Sequence, residues 1–335
     1  MTNWEQIYQE IEKADSIMLT THENPDGDGI GSIVAMHDHL TAKGKVCRIL
    51  LTSGLPEEYQ FLDPDNNFEI FGKSNHTDWL KNVDLAILLD IGNYTRTGKM
   101  WNIIQQNGTR VVNIDHHPYP DGHPFTINVS DINASATGEL IYNYLKAVDP
   151  GCLSKKVYEA IYIAIMTDTG SFSYNNTNVI SHEIAANAIK AGVDTAKIHQ
   201  TIYGSSSRSR IKLLAAVADN LNFTYNNKLV WFKITEEMMK NANAMKDDVD
   251  GFTDFARGIK NVEVALMIFE NAEGSCRVNF RSKGYYSINK IAQYFGGGGH
   301  SFAAGAKVDG KITDVSKNVV AKTIEIMKEQ EKVAA

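Results

Sequence analysis

The sequence predicts an α/β protein with two domains. Over residues 1–191, short apolar runs alternate with longer amphipathic segments, which is typical of βαβ units and of a mostly parallel sheet flanked by helices. At 335 residues the chain is longer than most single domains. A Gly/Ser break at Gly204-Ser-Ser-Ser207 interrupts the helical pattern near the middle. We therefore expect an N-terminal domain at 1–191, a helical linker at 192–220 and a smaller C-terminal α/β domain at 221–335.

Hydrophobic periodicity predicts the individual elements in chain order. In the N-terminal domain the predicted strands are 16–21, 46–52, 84–90 and 110–115, and the predicted helices are 4–14, 29–43, 136–148, 154–166 and 181–191. In the C-terminal domain the predicted strands lie near 221–225, 229–234, 261–269 and 274–281, followed by helices at 287–294 and 315–332. The segment Ser135-Ala-Thr137-Gly138-Glu139 is interpreted as a helix cap with an early acid.

The triplet Asp115-His116-His117 closes the predicted strand 110–115. Ligands of open α/β sheets bind beyond the carboxyl ends of the strands, so these side chains are expected at a ligand-binding edge. A carboxylate beside two imidazoles suits a borderline cation such as Mn²⁺ or Zn²⁺. The triplet therefore indicates a metal or phosphate site.

Acidic or imidazole side chains also follow three other apolar runs. They are His22, Asp26 and Asp28 in the first strand-to-helix turn, Asp90 after the run 84–89, and Asp168 after the run 160–166. Taken singly, each has an ordinary structural interpretation as a turn residue, helix cap or loop acid. Taken together, they predict two adjacent metal sites. Two metals roughly 3.5–4 Å apart can stabilise both the attacking and the leaving oxygen of a phosphoryl displacement.

In this order, the motifs resemble the DHH phosphoesterase superfamily with a C-terminal DHHA1 domain. More narrowly, the chain resembles the NrnA-type branch of bifunctional oligoribonucleases (nanoRNases) and pAp phosphatases. The resemblance rests on His22-x-Asn-Pro-Asp26-Gly-Asp28-x-x-Gly31-Ser32, on Asp90 with Arg96 six residues later, on Asp115-His116-His117, on Asp168, and on Gly296-Gly-Gly-Gly299-His300 with Ala303-Ala-Gly305.

The resemblance implies a site for two Mn²⁺ ions, with Mg²⁺ or Co²⁺ as substitutes. The implied ligands are His22, Asp26 and Asp90 for one ion and Asp28, Asp90, His116 and Asp168 for the other. Asp90 would bridge the ions and count as a catalytic residue. His117 would face the scissile phosphate, where it would protonate the leaving oxygen or stabilise its charge, and Arg96 would also contact the phosphate.

The substrate-binding residues are expected mainly in the C-terminal domain. Among its basic residues, Arg257 and Arg281 are the ones we expect to hold a phosphate. The glycine run 296–299 is compatible with anion binding through backbone N–H groups or with a flexible turn, and it lacks the Lys-Ser/Thr ending of a P-loop. The resemblance implies that Gly298, Gly299, His300 and Arg281-Ser282 bind the nucleotide end of the substrate. The active site would then lie in the cleft between the domains.

Composition limits the partners and the compartment. A net charge of −7 disfavours long duplex nucleic acid, whose binding rests on a basic surface, whereas bound divalent ions would still allow a short phosphate ligand. No apolar stretch approaches the ~20 residues of a membrane span, so no membrane association is expected. The scattered cysteines Cys47, Cys152 and Cys276 predict reduced thiols and a cytoplasmic protein.

The function implied by the resemblance is hydrolysis of short oligoribonucleotides to mononucleotides and of 3′-phosphoadenosine 5′-phosphate (pAp) to AMP and phosphate. A hydroxide activated by two ions would attack phosphorus, and removal from the 3′ or the 5′ end stays open. Three alternatives remain: a phosphodiesterase acting mainly on linear dinucleotides such as pApA or pGpG, a family II type pyrophosphatase, and a nucleotide sensor that does not cleave. The glycine run at 296–299 argues against the pyrophosphatase.

Overall fold

The chain divides into two compact units, Met1–Ser205 and Ser206–Ala335. The computed structural model describes residues 4–119, 122–204, 206–271, 274–299 and 301–334. The segment 192–220, predicted as a linker, contains two helices that belong to different units, Thr195–Tyr203 and Arg208–Asp219. Each unit has its own sheet and its own cores.

A six-stranded sheet forms the centre of the N-terminal unit. Its strands are β1 (Ser16–Thr20), β2 (Val46–Leu51), β3 (Phe68–Ile70), β4 (Leu85–Leu89), β5 (Arg110–Asp115) and β6 (Ile127–Ser130). They run in the order β3-β2-β1-β4-β5-β6, and every pairing is parallel. The four predicted strands are confirmed to within one residue. The two edge strands, β3 and β6, were not predicted because they are short and only partly buried.

Helices cover both faces of this sheet. They are α1 (Trp4–Glu12), α2 (Gly27–Ala42), α3 (His76–Leu80), α4 (Lys99–Gln106), α5 (Thr137–Val148), α6 (Lys155–Asp168), α7 (Val179–Lys190) and α8 (Thr195–Tyr203). Side chains alternate along each strand, so Leu19 and Ile87 face the core under α2, α5 and α6, whereas Met18 and Leu88 face the core under α4. The predicted doubly covered sheet is confirmed.

Helices α2 and α6 approach each other so closely that their contact requires glycine. A Cβ atom on Gly31 would lie 2.3 Å from the carbonyl oxygen of Ala160, and one on Gly27 would lie 2.5 Å from Oγ1 of Thr167. Because α2 begins at Gly27 and α6 ends at Asp168, this contact brings the end of α6 beside the start of α2.

The C-terminal unit contains a second, mixed sheet. Its strands are β7 (Asn222–Thr224), β8 (Leu229–Ile234), β9 (Val264–Asn271), β10 (Ser275–Ser282), β11 (Gly298–Gly299) and β12 (Ala303–Asp309), in the order β11-β12-β10-β9-β8-β7. Strands β8 and β9 pair in parallel, whereas the pairs β7–β8, β9–β10, β10–β12 and β11–β12 are antiparallel. The helices are α9 (Arg208–Asp219), α10 (Glu236–Ala242), α11 (Phe252–Arg257), α12 (Asn289–Tyr294) and α13 (Ile312–Ala334). The predicted α/β class of this domain is confirmed.

The second sheet also has a core on each face. Val278 and Phe280 of β10 pack with residues of α13, whereas Met267 and Phe269 of β9 pack against α11. Among the described residues, none of the helices is both long enough and apolar enough to cross a bilayer.

Candidate metal centre

The carboxyl ends of three adjacent strands carry the candidate ligands. Strands β1, β4 and β5 are neighbours in the sheet, and they lead directly into His22, Asp90 and His116. Parallel strands end at the same edge, so these side chains converge there. Asp90 has a positive φ of 53°, which is uncommon outside glycine and orients the residue directly after its strand.

The turn between β1 and α2 contributes two carboxylates in different roles. Asp26 is the N-cap of α2, and its Oδ1 atom accepts hydrogen bonds from the backbone N–H groups of Asp28 and Gly29 at 3.1 and 3.2 Å. Asp28 lies in the first helical turn and is buried. The helix cap considered from the sequence is therefore real, and the capping residue still keeps Oδ2 directed towards His22.

The first ligand cluster consists of His22, Asp26 and Asp90. Nε2 of His22 lies 3.6 Å from Oδ2 of Asp26 and 3.6 Å from Oδ2 of Asp90. Nδ1 of His22 lies 2.8 Å from the carbonyl oxygen of Glu23. A carbonyl can only accept, so Nδ1 carries a proton and Nε2 is the ring nitrogen that points into the cluster.

The second cluster consists of Asp28, His116 and Asp168, and it also reaches Asp90. Nε2 of His116 lies 3.8 Å from Oδ2 of Asp28, 3.7 Å from Oδ1 of Asp90 and 3.8 Å from Oδ2 of Asp168. Asp90 thus presents one carboxylate oxygen to each cluster. This is the geometry expected of a carboxylate that bridges two cations.

These spacings fit the coordination of divalent cations. Two ligand atoms that each lie about 2.1 Å from one cation are roughly 3–4 Å apart, whereas a direct hydrogen bond would be near 3 Å. The donors are imidazole nitrogens and carboxylate oxygens, a set that suits Mn²⁺, Co²⁺ and Zn²⁺ and accepts Mg²⁺ through its carboxylates. The residues that the sequence predicted as ligands are therefore brought together in an arrangement that fits two ions.

The electrostatics of the clusters also favour cation binding. Burial raises the pKa of Asp28 well above its usual value, and the carboxylates of Asp90 and Asp168 add to this effect. Burial likewise raises the pKa of Asp168 to about 6. Burial opposes ionisation of Asp90 as well, but contacts with His117 and His22 outweigh it and hold its pKa well below the usual value. Crowded, buried carboxylates of this kind repel one another, and a divalent cation between them relieves the repulsion.

His117 adjoins the clusters and is held in place by Asp115. Its Nδ1 atom lies 2.7 Å from Oδ1 of Asp115 and 3.4 Å from Oδ1 of Asp90. Burial lowers the pKa of His117, but these two carboxylates outweigh burial and raise it to about 11. Oδ2 of Asp115 accepts the backbone N–H of Gly92 at 2.7 Å. The first residue of the triplet, which sequence analysis placed among the metal- or phosphate-seeking side chains, is thus a fully buried positioning residue that orients His117.

The N-terminus of α5 holds Asp28 through backbone contacts that the sequence did not predict. The backbone N–H groups of Thr137 and Gly138 donate to the Asp28 carboxylate at 2.7 and 2.9 Å. Oγ1 of Thr137 lies 3.4 Å from Oδ1 of Asp90. The helix cap is Ala136, which makes no side-chain cap bond, so the interpretation of 135–139 as a simple capping segment was incomplete. These N–H groups fix Asp28 in place.

Asn176 is a second support that sequence reasoning missed. Its Nδ2 atom donates to Oδ2 of Asp168 at 2.8 Å and to the carbonyl oxygen of Ser135 at 2.8 Å. The hydroxyl of Ser135 in turn donates to Oε2 of Glu139 at 2.7 Å. The segment after α6 is thereby tied to the start of α5. The buried early acid Glu139 signals its own partners Ser135 and Asn178, but no sequence signal points to Asn176.

Arg96 lies close to His117 at the edge of the site. It belongs to the 3₁₀ turn Tyr94–Thr97 and is partly buried. A Cβ atom on Gly92 would lie 3.4 Å from both Nη1 of Arg96 and Cδ2 of His117, so the two side chains flank this glycine. The carbonyl oxygen of Arg96 accepts the N–H of Glu23 at 3.1 Å, which ties the turn to the loop that carries His22.

In the C-terminal unit, Arg257, Arg281 and Ser282 lie together at the end of β10. Asp254 joins the two arginines, with Nη2 of Arg257 at 2.8 Å and Nε of Arg281 at 3.4 Å from its carboxylate oxygens. Nη1 of Arg257 donates to the carbonyl oxygen of Ser282 at 3.2 Å. The hydroxyl oxygen of the buried Ser282 accepts the N–H of Gly284 at 3.2 Å.

Two residues of the glycine run, Gly298 and Gly299, form the edge strand β11. Gly298 pairs with Gly305 and Gly299 with Ala304, and β12 pairs with β10 through Arg281 and Ala303. A Cβ atom on Gly297 would lie 2.1 Å from the carbonyl oxygen of Gly305, so close backbone approach explains this glycine. Gly298 and Gly299 are exposed. His300 lies outside the described residues.

Comparison with known families identifies both halves of the chain. Residues 16–165 match the DHH family, N-terminal domain, and residues 226–330 match the DHHA1 domain. The chain is 27% identical over 321 residues to the probable bifunctional oligoribonuclease and PAP phosphatase NrnA of Streptococcus mutans, covering 91% of this chain and 94% of that protein. It is 26% identical over 305 residues to the bifunctional oligoribonuclease and PAP phosphatase NrnA of Bacillus subtilis, covering 90% of this chain and 92% of that protein.

Solved structures agree with this relationship. An exopolyphosphatase-related protein from Bacteroides fragilis is 25% identical and superimposes with a TM-score of 0.90, covering 98% of this chain and 96% of that one. RecJ from Thermus thermophilus in complex with Mn²⁺ is 12% identical with a TM-score of 0.53, covering 98% of this chain and 54% of that one. The second likeness shows a shared fold.

Proposed function

Because this chain carries a DHH-family N-terminal domain followed by a DHHA1 domain, we propose that it is a metal-dependent phosphoesterase. Its substrates are short oligoribonucleotides, hydrolysed to mononucleotides, and pAp, hydrolysed to AMP and phosphate. The observation that carries the proposal is the pair of ligand clusters that share Asp90. The names of its relatives in Streptococcus mutans and Bacillus subtilis support the substrate class.

The proposed metal ligands form two groups, one for each ion. His22, Asp26 and Asp90 would hold one ion, and Asp28, Asp90, His116 and Asp168 the other. Two bound ions, which we propose to be Mn²⁺, supply an activated water and neutralise charge on the reacting phosphate.

His117 is the proton donor of the proposed reaction. Its Nδ1 atom is held by Asp115, so the ring is fixed in orientation beside the bridging carboxylate. It carries a proton to the leaving oxygen or stabilises the charge that develops there. Arg96, on the other side of Gly92, contacts a non-bridging phosphate oxygen. These roles make His117 and Asp90 the catalytic residues.

The substrate-binding residues are proposed to limit substrate length. Arg257, Arg281, Ser282 and the exposed Gly298 and Gly299 bind the end of the nucleotide. Arg257 and Arg281 already share Asp254, so their net charge suits one or two phosphates rather than a polymer backbone. This supports short single-stranded substrates over long duplexes.

Parallel assays on an RNA dinucleotide, pAp, pGpG and pyrophosphate test this function. With Mn²⁺ the protein is expected to release mononucleotide and AMP, and chelation is expected to abolish both activities. Asp168→Asn removes a ligand charge, and Asp78→Asn is the matched control because Asp78 is an exposed acid on α3. Cleavage of pyrophosphate alone, or nucleotide binding without any cleavage, would refute the proposal. Cleavage restricted to pGpG would narrow it to linear dinucleotides.

A further inference from the structure

A second group of metal-ligating side chains lies in the N-terminal unit, away from the metal centre. His39 is near the end of α2, whereas Asp149 and Cys152 flank and end the 3₁₀ turn Pro150–Cys152 that follows α5. One ligand atom of each residue lies within 4.8 Å of the other two, and Nδ1 of His39 is 3.7 Å from Oδ2 of Asp149. His39 lies about three helical turns beyond Asp28, roughly 16 Å along the axis, so the two groups are separate.

His39 is buried although the described residues provide no hydrogen bond to its ring nitrogens. Its exposed fraction is 1%, and neither ring nitrogen has a hydrogen-bond partner among the described residues. The Tyr144 ring packs edge-on against the imidazole with centroids 6.0 Å apart, and the Tyr144 hydroxyl oxygen is also buried without such a partner in the same described part of the chain. Buried polar atoms are nearly always satisfied, so an unpartnered imidazole beside a carboxylate and a thiol points to an additional ligand.

We propose that His39, Asp149 and Cys152 form a third metal site, which takes a borderline divalent cation of the Zn²⁺ type. Imidazole nitrogen, thiolate sulfur and carboxylate oxygen are the donors that Zn²⁺ uses in proteins. The 3.7 Å spacing of two of them fits a shared cation, as it does in the first centre. Three protein ligands leave one tetrahedral position for water.

The lysines near this site are already paired with other carboxylates. Lys43 is the positive group that faces His39, and its Nζ atom lies 3.8 Å from a carboxylate oxygen of Glu12. Asp38 pairs with Lys156 at 2.9 Å. A divalent ion with one carboxylate and one thiolate is electrically neutral, so its burial costs little. Burial lowers the pKa of His39 and Lys43 adds to this, which keeps the imidazole in the neutral form that binds metal.

The proposed ion would act as a structural link. It would join the end of α2 to the end of α5 and the following turn, all of which border the main core of the N-terminal unit. The Asp149 side chain is 38% exposed, so the ion can enter from solvent. Binding to the folded state alone would raise the free energy of unfolding with the logarithm of the metal concentration above the dissociation constant.

Titration of the metal-free full chain with Co²⁺ distinguishes this site from the catalytic centre. A cysteine thiolate bound to Co²⁺ gives a near-ultraviolet charge-transfer band, and no ligand of the catalytic centre is a cysteine. We expect a band whose final intensity corresponds to one thiolate-bound Co²⁺ per chain, which disappears in Cys152→Ser and persists in Cys47→Ser, a variant that lacks another partly buried thiol. Absence of the band while the catalytic centre fills, or its loss in Cys47→Ser instead, would overturn the proposal.

Thermal melts provide a second readout that does not depend on Cys152. Zn²⁺ is expected to raise the Tm of the parent protein by more than that of Asp149→Asn, a substitution at a partly exposed position that should fold normally. His39→Phe tests the alternative of an ordinary core imidazole. If His39→Phe leaves the Zn²⁺-induced shift unchanged, His39 is not a ligand and the site is refuted.

Discussion

The contact between Asp115 and His117 provides the sharpest test of how the site works. Asp115 accepts three hydrogen bonds, from Nδ1 and the backbone N–H of His117 and from the N–H of Gly92, at 2.7, 3.0 and 2.7 Å. Asp115→Asn keeps the shape but replaces one acceptor oxygen with an amide donor. One of these N–H groups then faces another donor, and the negative charge behind the imidazole disappears.

The expected fall in kcat follows from the strength of the hydrogen bond that His117 loses in Asp115→Asn. A hydrogen bond to a charged group is worth about 1.5–3 kcal/mol. If that energy is used to hold the protonated His117 against the leaving oxygen, its loss lowers kcat by about 10- to 150-fold. KM should change little, because Asp115 is fully buried and does not reach the substrate. Metal affinity should also change little, since neither Asp115 nor His117 is among the proposed ligands.

The assay compares two leaving groups in Asp115→Asn, His117→Ala and the double variant. With an RNA dinucleotide, whose leaving alcohol needs a proton, both single variants should be slow. With a p-nitrophenyl phosphodiester, whose leaving group departs without one, the loss should be small. The double variant should be no slower than His117→Ala, because Asp115 acts through His117. Equal losses on both substrates, or additive losses in the double variant, would refute this role.

Three further outcomes are expected. Asp90→Asn should reduce Mn²⁺ binding from two ions to at most one in calorimetric titration, because each oxygen of Asp90 faces a different cluster; two tight ions in this variant would show that it does not bridge. Gly31→Ala should destabilise the protein by about 1–3 kcal/mol in urea unfolding, because its Cβ would lie 2.3 Å from the carbonyl oxygen of Ala160; an unchanged midpoint would mean that α2 and α6 can separate at low cost. Arg281→Ala should raise KM for the RNA dinucleotide several-fold and leave the p-nitrophenyl diester unaffected; equal changes would place Arg281 outside the substrate site.

The clustering of the proposed ligands could be predicted from the sequence, because each is an acidic or imidazole side chain at the end of an apolar run or in the turn that follows it. Asp90 ends an apolar run, and an acid there is costly unless it is paired or bound to metal. Asp28 was found in the same way, but its supports were not. Thr137 and Gly138 hold it through backbone N–H groups that lie 109 and 110 residues away, and a backbone N–H leaves no signature of residue type. No specific role could be assigned to Asp115 from the sequence, because its position suggests a metal- or phosphate-seeking side chain, whereas its carboxylate folds back onto His117.

In the fold, too, the elements with a local sequence pattern could be predicted, whereas those defined by contacts with distant residues could not. Strands such as Leu85–Leu89 are buried along their full length, so their sequences are apolar throughout and easy to recognise. Strands β3 and β6 are edges with mixed burial, and only pairing with a neighbour defines them. The glycine run 296–299 gives no periodic signal at all. Its pairing with Gly305 depends on close backbone contact, which only the folded sheet reveals.

The strand order explains why one carboxylate can face both ligand clusters. After β1 the chain builds β2 and β3 on one side, then returns to place β4 on the other side of β1 and continues outward to β5. The connections after β1 and β4 therefore diverge, and a crevice opens between them at the carboxyl edge of the sheet. His22 and Asp26 reach this crevice from β1, His116 reaches it from β5, and Asp90 lies on the strand between. Its positive φ turns the carboxylate so that each oxygen faces one group. A different strand order would leave the two ligand groups without a common residue.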